Sequence, residues 1–193
     1  MRIYTAMLAL LLLSAMLPVC TTAAAAQDVA KAEVALTYTW AHANAPPESC
    51  GCFSLNGGSA VFAYSFSRSI SAVAEAGAAT NGNVDSAGRG ITLSDYFGGL
   101  RYTPRSHAGV RPYGQLLLGI AHASGPLAPS QIGLGSATSF AMSTGGGVDF
   151  ILNEHFAIRA LQADYLLTLL SNRTNDRQNN FRLSTGLVFR FGK

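Results

Sequence analysis

The sequence predicts an all-β fold: an eight-stranded antiparallel transmembrane β-barrel of up-and-down meander topology. Three observations carry this. Behind a targeting segment, apolar and polar residues alternate with period two over eight short stretches. The connectors between the stretches alternate in length. The chain is 49% hydrophobic with only 12% charged residues, about half the charge of an ordinary soluble domain. Yet its longest strongly apolar run after the targeting segment, Leu116 to Ala121, is far short of the ~20 residues of a spanning helix.

Composition also excludes several classes. The 20 glycines argue against a coiled coil. Basic residues are almost all arginine, and a formal charge of +3 is too small for a nucleic-acid-binding patch or for electrostatic steering toward a polyanion.

Met1 and Arg2 open a basic start, Ala6 to Leu17 form an apolar core, and small residues follow up to Ala26. That is the layout of a secretory signal peptide, residues 1–26, cleaved before Gln27. Leu17-Pro18-Val19-Cys20 offers a lipoprotein signal as the alternative. Residues 27–193 are then the mature barrel domain, with about 21 residues for each strand and its connector, against the ~9–11 that a tilted strand needs to cross a bilayer.

The strands follow in order. Ala32, Val34, Leu36, Tyr38 and Trp40 alternate with Glu33, Ala35, Thr37 and Thr39. A second stretch, Ser59 to Ser67, sets Ala60, Phe62, Tyr64 and Phe66 against serines and Ala63. In the third, Ile70 to Thr80, Ala72, Ala74, Ala76 and Ala78 face away from Glu75. The fourth, Thr92 to Thr103, sets Tyr96, Leu100 and Tyr102 against Asp95, Gly99 and Arg101. The fifth, Pro112 to Ala121, opposes Leu116, Leu118 and Ile120 to Gln115 and Gly119, and the sixth, Phe140 to Phe150, opposes Phe140, Met142, Val148 and Phe150 to Ser143, Gly145, Gly147 and Asp149. In the seventh, Phe156 to Leu169, Leu161, Tyr165, Leu167 and Leu169 oppose Gln162, Asp164 and Thr168. Parity there turns Arg159 outward, either as a rim residue that snorkels or as the mark of a bulge. The eighth, Phe181 to Phe191, opposes Phe181, Leu183, Leu187, Phe189 and Phe191 to Arg182, Ser184, Gly186 and Arg190.

Short connectors fall around Arg68, Pro104 to His107 and Asn153-Glu154. Longer polar ones span Ala43 to Gly58, Asn81 to Gly90, Ser124 to Ser139 and Ser171 to Asn180. Short turns at one end and long loops at the other are the signature of a transmembrane barrel. In hydrocarbon every backbone N–H and C=O must pair internally, so a sheet can span only by closing on itself. Closure turns the apolar set toward lipid and the polar set inward, and eight strands leave an interior that side chains just fill. Gly99, Gly119, Gly145, Gly147 and Gly186 would make room for larger inward neighbours. Inside, four carboxylates (Glu75, Asp95, Asp149, Asp164) stand against four arginines (Arg101, Arg111, Arg182, Arg190). Buried charges need partners, so these are expected to pair and plug the lumen.

The last strand holds Ser184, Gly186, Phe189 and Phe191: a polar residue, a glycine two positions on, and alternating aromatics at the end. This resembles the C-terminal assembly signal of bacterial outer-membrane barrels, with Gly192 and Lys193 added beyond the usual terminal aromatic. The mature chain as a whole resembles the small OmpA-like or porin-like barrels of Gram-negative outer membranes. The resemblance implies short periplasmic turns, four extracellular loops, insertion by the barrel-assembly machinery, and outer-membrane lipid and lipopolysaccharide as neighbours. It implies a monomer that needs no cofactor and binds no nucleic acid. A soluble lipocalin-like barrel is the rival fold, but it requires the opposite placement of Phe62, Leu187 and Phe189 relative to Arg182 and Arg190.

Two further motifs bear on chemistry. His122-Ala123-Ser124 resembles the His-x-Ser pair of the lipid A deacylases, which are eight-stranded barrels with a rim Glu. On a strand, His122 and Ser124 share a face, but Glu154 is assigned to a turn at the opposite end. Cys50-Gly51-Cys52, in the first long connector, could close a local disulfide in an oxidising compartment, bind a soft metal or stay free. No metal site is expected. Gly145-Gly146-Gly147 opens no helix and so is no phosphate loop. The function expected is therefore structural, adhesive or surface-interacting through the loops, with a lipid hydrolase using His122 and Ser124, or a narrow channel, as alternatives.

Overall fold

The computed structural model describes residues 30–44, 52–84, 89–104, 109–125, 135–170 and 177–192. The predicted signal peptide and Cys50 lie outside them, and so do the side chain of Cys52, residues 45–51, 85–88, 126–134 and 171–176 of the long connectors, and 105–107 of the predicted short connector Pro104 to His107. Eight strands run in chain order: β1 Ala32–Asn44, β2 Cys52–Ser65, β3 Ile70–Asn81, β4 Ile91–Tyr102, β5 Val110–Ser124, β6 Ser136–Ile151, β7 Phe156–Thr168 and β8 Gln178–Phe191. Each pairs antiparallel with its neighbours, and β8 returns to β1 to close the barrel. The closing seam matches Ala32 with Phe191 and runs through Thr39 opposite Ser184.

Several strands outrun the sequence prediction at the long-loop end. β2 begins at Cys52, not Ser59, and pairs that residue with Asn44. The first long connector shrinks to 45–51, which places Cys52 at the head of a strand. β6 starts at Ser136 and β8 at Gln178. The cause is physical: an apolar-outward pattern reports contact with lipid, whereas pairing continues past the apolar band, where the outward residues are polar (Ser54, Asn56, Ser136, Thr138) and apolar ones such as Leu55 and Ala137 turn inward.

Side chains alternate as the closed sheet requires. Leu36, Tyr38, Tyr96, Leu100, Leu116, Leu118, Leu187 and Phe191 are exposed on the outer surface, large apolar groups that water would not tolerate over a whole surface but lipid does. Buried residues fill the inside. Two inward glycines are needed for that filling: a Cβ at Gly119 would stand 2.9 Å from the Phe97 ring, and one at Gly147 would stand 2.7 Å from the Tyr113 hydroxyl. At all five predicted positions, however, the first atom an added Cβ would strike is a neighbouring strand's carbonyl oxygen, that of Leu116 at Gly99, Tyr96 at Gly119, Ala163 at Gly145, Leu161 at Gly147 and Leu36 at Gly186. Close backbone approach is thus a shared requirement, and at Gly99 and Gly186 no inward side chain is among the nearest atoms.

β7 contains the one irregularity that changes a side chain's face. Its register against β6 and β8 shifts between Arg159 and Gln162. Ala160 and Leu161 both point outward, so Ala157 and Arg159 face inward on one side of the bulge and Gln162 and Asp164 on the other. Arg159 is thus no rim residue. It is fully buried in the lumen, and the bulge is the alternative that holds.

Candidate functional site: the barrel lumen

Among the described residues, ten charged side chains lie inside, not eight. Glu33 and Arg159 join the predicted set, giving five carboxylates and five arginines. Glu33 was signalled by its place on the polar face of β1. Arg159 had no such signal, because the bulge broke the period.

The charges fall into two clusters along the axis. Toward the short-turn end, Arg111 bonds Glu33 through both terminal nitrogens, at 2.5 and 2.9 Å, and Arg190 Nε stands 3.5 Å from the same carboxylate. Beside them Arg159 Nε donates to Asp149 Oδ1 at 2.9 Å. Arg101 donates to Gln115 Oε1 from Nε and Nη2, at 3.1 and 2.8 Å. The guanidinium groups of Arg101 and Arg159 lie 4.2 and 4.9 Å from the Tyr113 ring centroid, a cation–π arrangement that partly replaces the counter-charge Arg101 lacks in these pairs.

Nearer the middle, Arg182 of β8 gathers carboxylates from three other strands. Glu75 of β3 is 2.6 Å away, Asp164 of β7 3.1 Å and Asp95 of β4 3.4 Å, and the Ser143 hydroxyl accepts from Nη2 at 3.3 Å. Gln162 joins the clusters: its Oε1 accepts from Arg159 Nη1 and from the Tyr113 hydroxyl, and its Nε2 donates to Asp164 Oδ2. The clusters carry opposite surpluses, four arginines to two carboxylates in the first and one to three in the second.

Above Arg182, toward the long-loop end, the lumen becomes apolar. Leu55, Leu93, Leu166 and Leu170 are buried there among inward alanines such as Ala41 and Ala123. A small cavity between Asp95, Arg182, Leu93 and Leu166 marks the boundary.

The sequence-predicted assembly residues occupy β8: Ser184 and Gly186 face inward, with the Ser184 hydroxyl 3.1 Å from that of Thr39 across the seam, while Phe189 and Phe191 face out, Phe189 edge-on to Phe156. His122 and Ser124 lie on the outer face with Leu116, Leu118 and Ile120. His122 Nδ1 is 2.7 Å from Thr138 Oγ1. Glu154 sits in the turn between β6 and β7, at the other end of the barrel. Among the described residues, no group of three or more His, Cys, Asp or Glu could hold a metal ion.

A closed, eight-stranded, all-antiparallel meander with an apolar exterior defines the small β-barrels of bacterial outer membranes. The model of the outer membrane protein beta-barrel domain matches residues 8–191, and the chain belongs to that family and to the outer membrane. Among solved structures it is similar to Neisserial surface protein A (NspA), at TM-score 0.64 and 18% identity over 86% of this chain and 100% of that one. It is also similar to Ail, the attachment invasion locus protein of Yersinia pestis, at TM-score 0.54 and 17% identity over 83% and 99%. Ail in complex with the heparin analogue sucrose octasulfate gives TM-score 0.53, 18% identity and the same coverage. At these identities the likeness is one of fold. No curated protein matches the chain.

Proposed function

We propose that this barrel is a non-enzymatic surface protein whose long extracellular connectors form an adhesive or structural interaction surface, held by a lumen that side chains plug. The observation that carries this reading is the filling of the interior. Two ionic clusters joined by Gln162 lie under an apolar layer of leucines and alanines, which favours a plug over a narrow channel. A hydrolase is disfavoured by the placement of His122 and Ser124 on the outer wall, with Thr138 as the imidazole's partner and Glu154 at the far end. The barrel acts as a monomer surrounded by outer-membrane lipid and lipopolysaccharide, and the barrel-assembly machinery reads Ser184, Gly186, Phe189 and Phe191. Cys50 of the first connector and Cys52 at the head of β2 form a local disulfide.

The test replaces residues 126–134 and 171–176 with short Gly/Ser linkers. The variant should keep heat-modifiable gel migration, which reports the folded barrel, and lose attachment of bacteria to a surface or cell. Undiminished attachment would remove the loops from the function. In planar bilayers the wild type should give no conductance steps, and Phe191→Asp should cut the yield of membrane-inserted protein several-fold. Fatty-acid release from lipopolysaccharide that is abolished by Ser124→Ala would establish the hydrolase instead.

A further inference from the structure

On the outer wall, Tyr96, Ile120 and Phe140 form one apolar rung across β4, β5 and β6. Directly above it, toward the extracellular end, the next outward rung is Ser94, His122 and Thr138, and the one after is Thr92, Ser124 and Ser136. Thr80 extends this upper rung onto β3, its hydroxyl 2.9 Å from that of Thr92. Every outward position of these two rungs on β4, β5 and β6 therefore carries a hydroxyl or an imidazole and no charge, and on β3 the lower rung ends at Ala78, opposite Ser94. The opposite wall is different. At the same ends of β1 and β8 the outward residues are Trp40, stacked on His42 at 5.7 Å, Phe181, and Asn179, whose side-chain oxygen accepts from the Tyr165 hydroxyl, so aromatic rings break the row of small hydroxyls.

Height decides what meets this patch. A step of two residues advances about 6.6–6.8 Å along a strand, or about 5 Å along the membrane normal at a tilt near 45°. Two rungs above the apolar row thus occupy about 10 Å, which covers the headgroup layer of about 5–7.5 Å on one side of a bilayer. Among the described residues, the hydroxyls of Ser94, Ser124 and Ser136 make no hydrogen bond, so donors and acceptors stand ready at that level. A phosphate would call for arginine or lysine, and these rungs hold neither. Groups that donate and accept without charge suit a polyhydroxylated ring.

We propose that the Ser94–His122–Thr138 and Thr92–Ser124–Ser136 rungs bind the sugar headgroup of an outer-leaflet glycolipid, whose acyl chains then lie on Ile120, Leu118 and Phe140 below. This deepens the lipid partnership proposed above and rests on it, but it is independent of what the loops bind.

The experiment reconstitutes the full barrel in phosphatidylcholine vesicles. It reads, by electron spin resonance, the fraction of a spin-labelled probe lipid immobilised at the protein, with galactosyl diacylglycerol as sugar probe, phosphatidylglycerol as phosphate probe and labelled lipopolysaccharide as third arm. The wild type should enrich the galactolipid and lipopolysaccharide at least about threefold over phosphatidylcholine, and phosphatidylglycerol not at all. Ser94→Ala with Ser124→Ala, Ser136→Ala and Thr138→Val should bring the galactolipid back to parity, while Trp40→Leu on the opposite wall should not. Folding of each variant is read from heat-modifiable migration, and the single Ser124→Leu, which blocks the patch, serves if the multiple variant misfolds. Enrichment of phosphatidylglycerol alone, or galactolipid enrichment that survives the substitutions, overturns the site. Lipopolysaccharide enrichment unaffected by the variant removes only this patch, whereas no enrichment of lipopolysaccharide in any protein removes the lipid partnership as a whole.

Discussion

The part of the lumen at the long-loop end and the part below it are filled by opposite means. Above the cavity, Leu55, Leu93, Leu166 and Leu170 pack by shape and contact. Below it, the contacts are directional, and several join strands distant in sequence: Glu33 of β1 to Arg111 of β5 and Arg190 of β8, and Arg182 of β8 to Glu75 of β3 and Asp95 of β4, while Arg182–Asp164, Arg159–Asp149 and Arg101–Gln115 tie consecutive strands. Apolar filling tolerates exchange of similar volumes. Buried ion pairs tolerate the loss of a partner badly, because the charge left behind stays desolvated. The upper lumen therefore supplies bulk, and the lower lumen specifies which strands meet when the barrel closes.

That contrast can be broken in a graded way. The largest effect is expected at Arg182: Arg182→Met leaves Glu75, Asp95 and Asp164 around no cation and should cost about 3–5 kcal/mol, read as a lower urea midpoint for the barrel folded in detergent micelles. Adding Glu75→Gln to it should recover part of the loss, and failure of that rescue would deny that the surplus of acid is the cause. In the apolar part, Leu166→Ala removes a fully buried side chain beside the cavity and should cost about 2–4 kcal/mol, with no partner substitution able to restore it. A loss at Leu166 exceeding that at Arg182 would reverse the ranking of the two regions. Smallest is Thr185→Val, which deletes the 2.9 Å bond from the Thr185 hydroxyl to the Arg159 carbonyl at the bulge and should cost about 1 kcal/mol. An unfolding midpoint indistinguishable from wild type would show that the bulge needs no such tether.

The fold was legible because lipid imposes a simple rule on a closed sheet, and every strand but the bulged β7 obeys it without interruption over its membrane-spanning part. Legibility failed where that rule stops. Cys52 to Gly58 pair with β1, but there the apolar residues Phe53 and Leu55 turn inward and Ser54 and Asn56 outward, the reverse of the apolar-out alternation that marked the other stretches. Parity alone could place Asp164 and Arg182 inside, but not say that Arg182 would also meet Glu75 and Asp95, since those contacts depend on the stagger between non-adjacent strands. The shared face of His122 and Ser124 was readable, and their neighbours Leu116, Leu118 and Ile120 already marked that face as the outer one.

The bulge in β7 gives this strand the logic of interleaved reading frames. Residues before Ala160 are written into the lumen at odd numbers and those after Leu161 at even numbers, so Ala160 behaves as a single insertion that the neighbouring strands accommodate. Deleting it would force one side of the strand out of frame. Either Arg159 would be delivered to lipid, at a cost that is about 2–4 kcal/mol for an arginine at the bilayer midplane and falls toward the interface, or Gln162 and Asp164 would be drawn away from Arg159 and Arg182. Strand length and internal charge are therefore inherited as one character here: a relative one residue shorter in β7 should also lack the arginine.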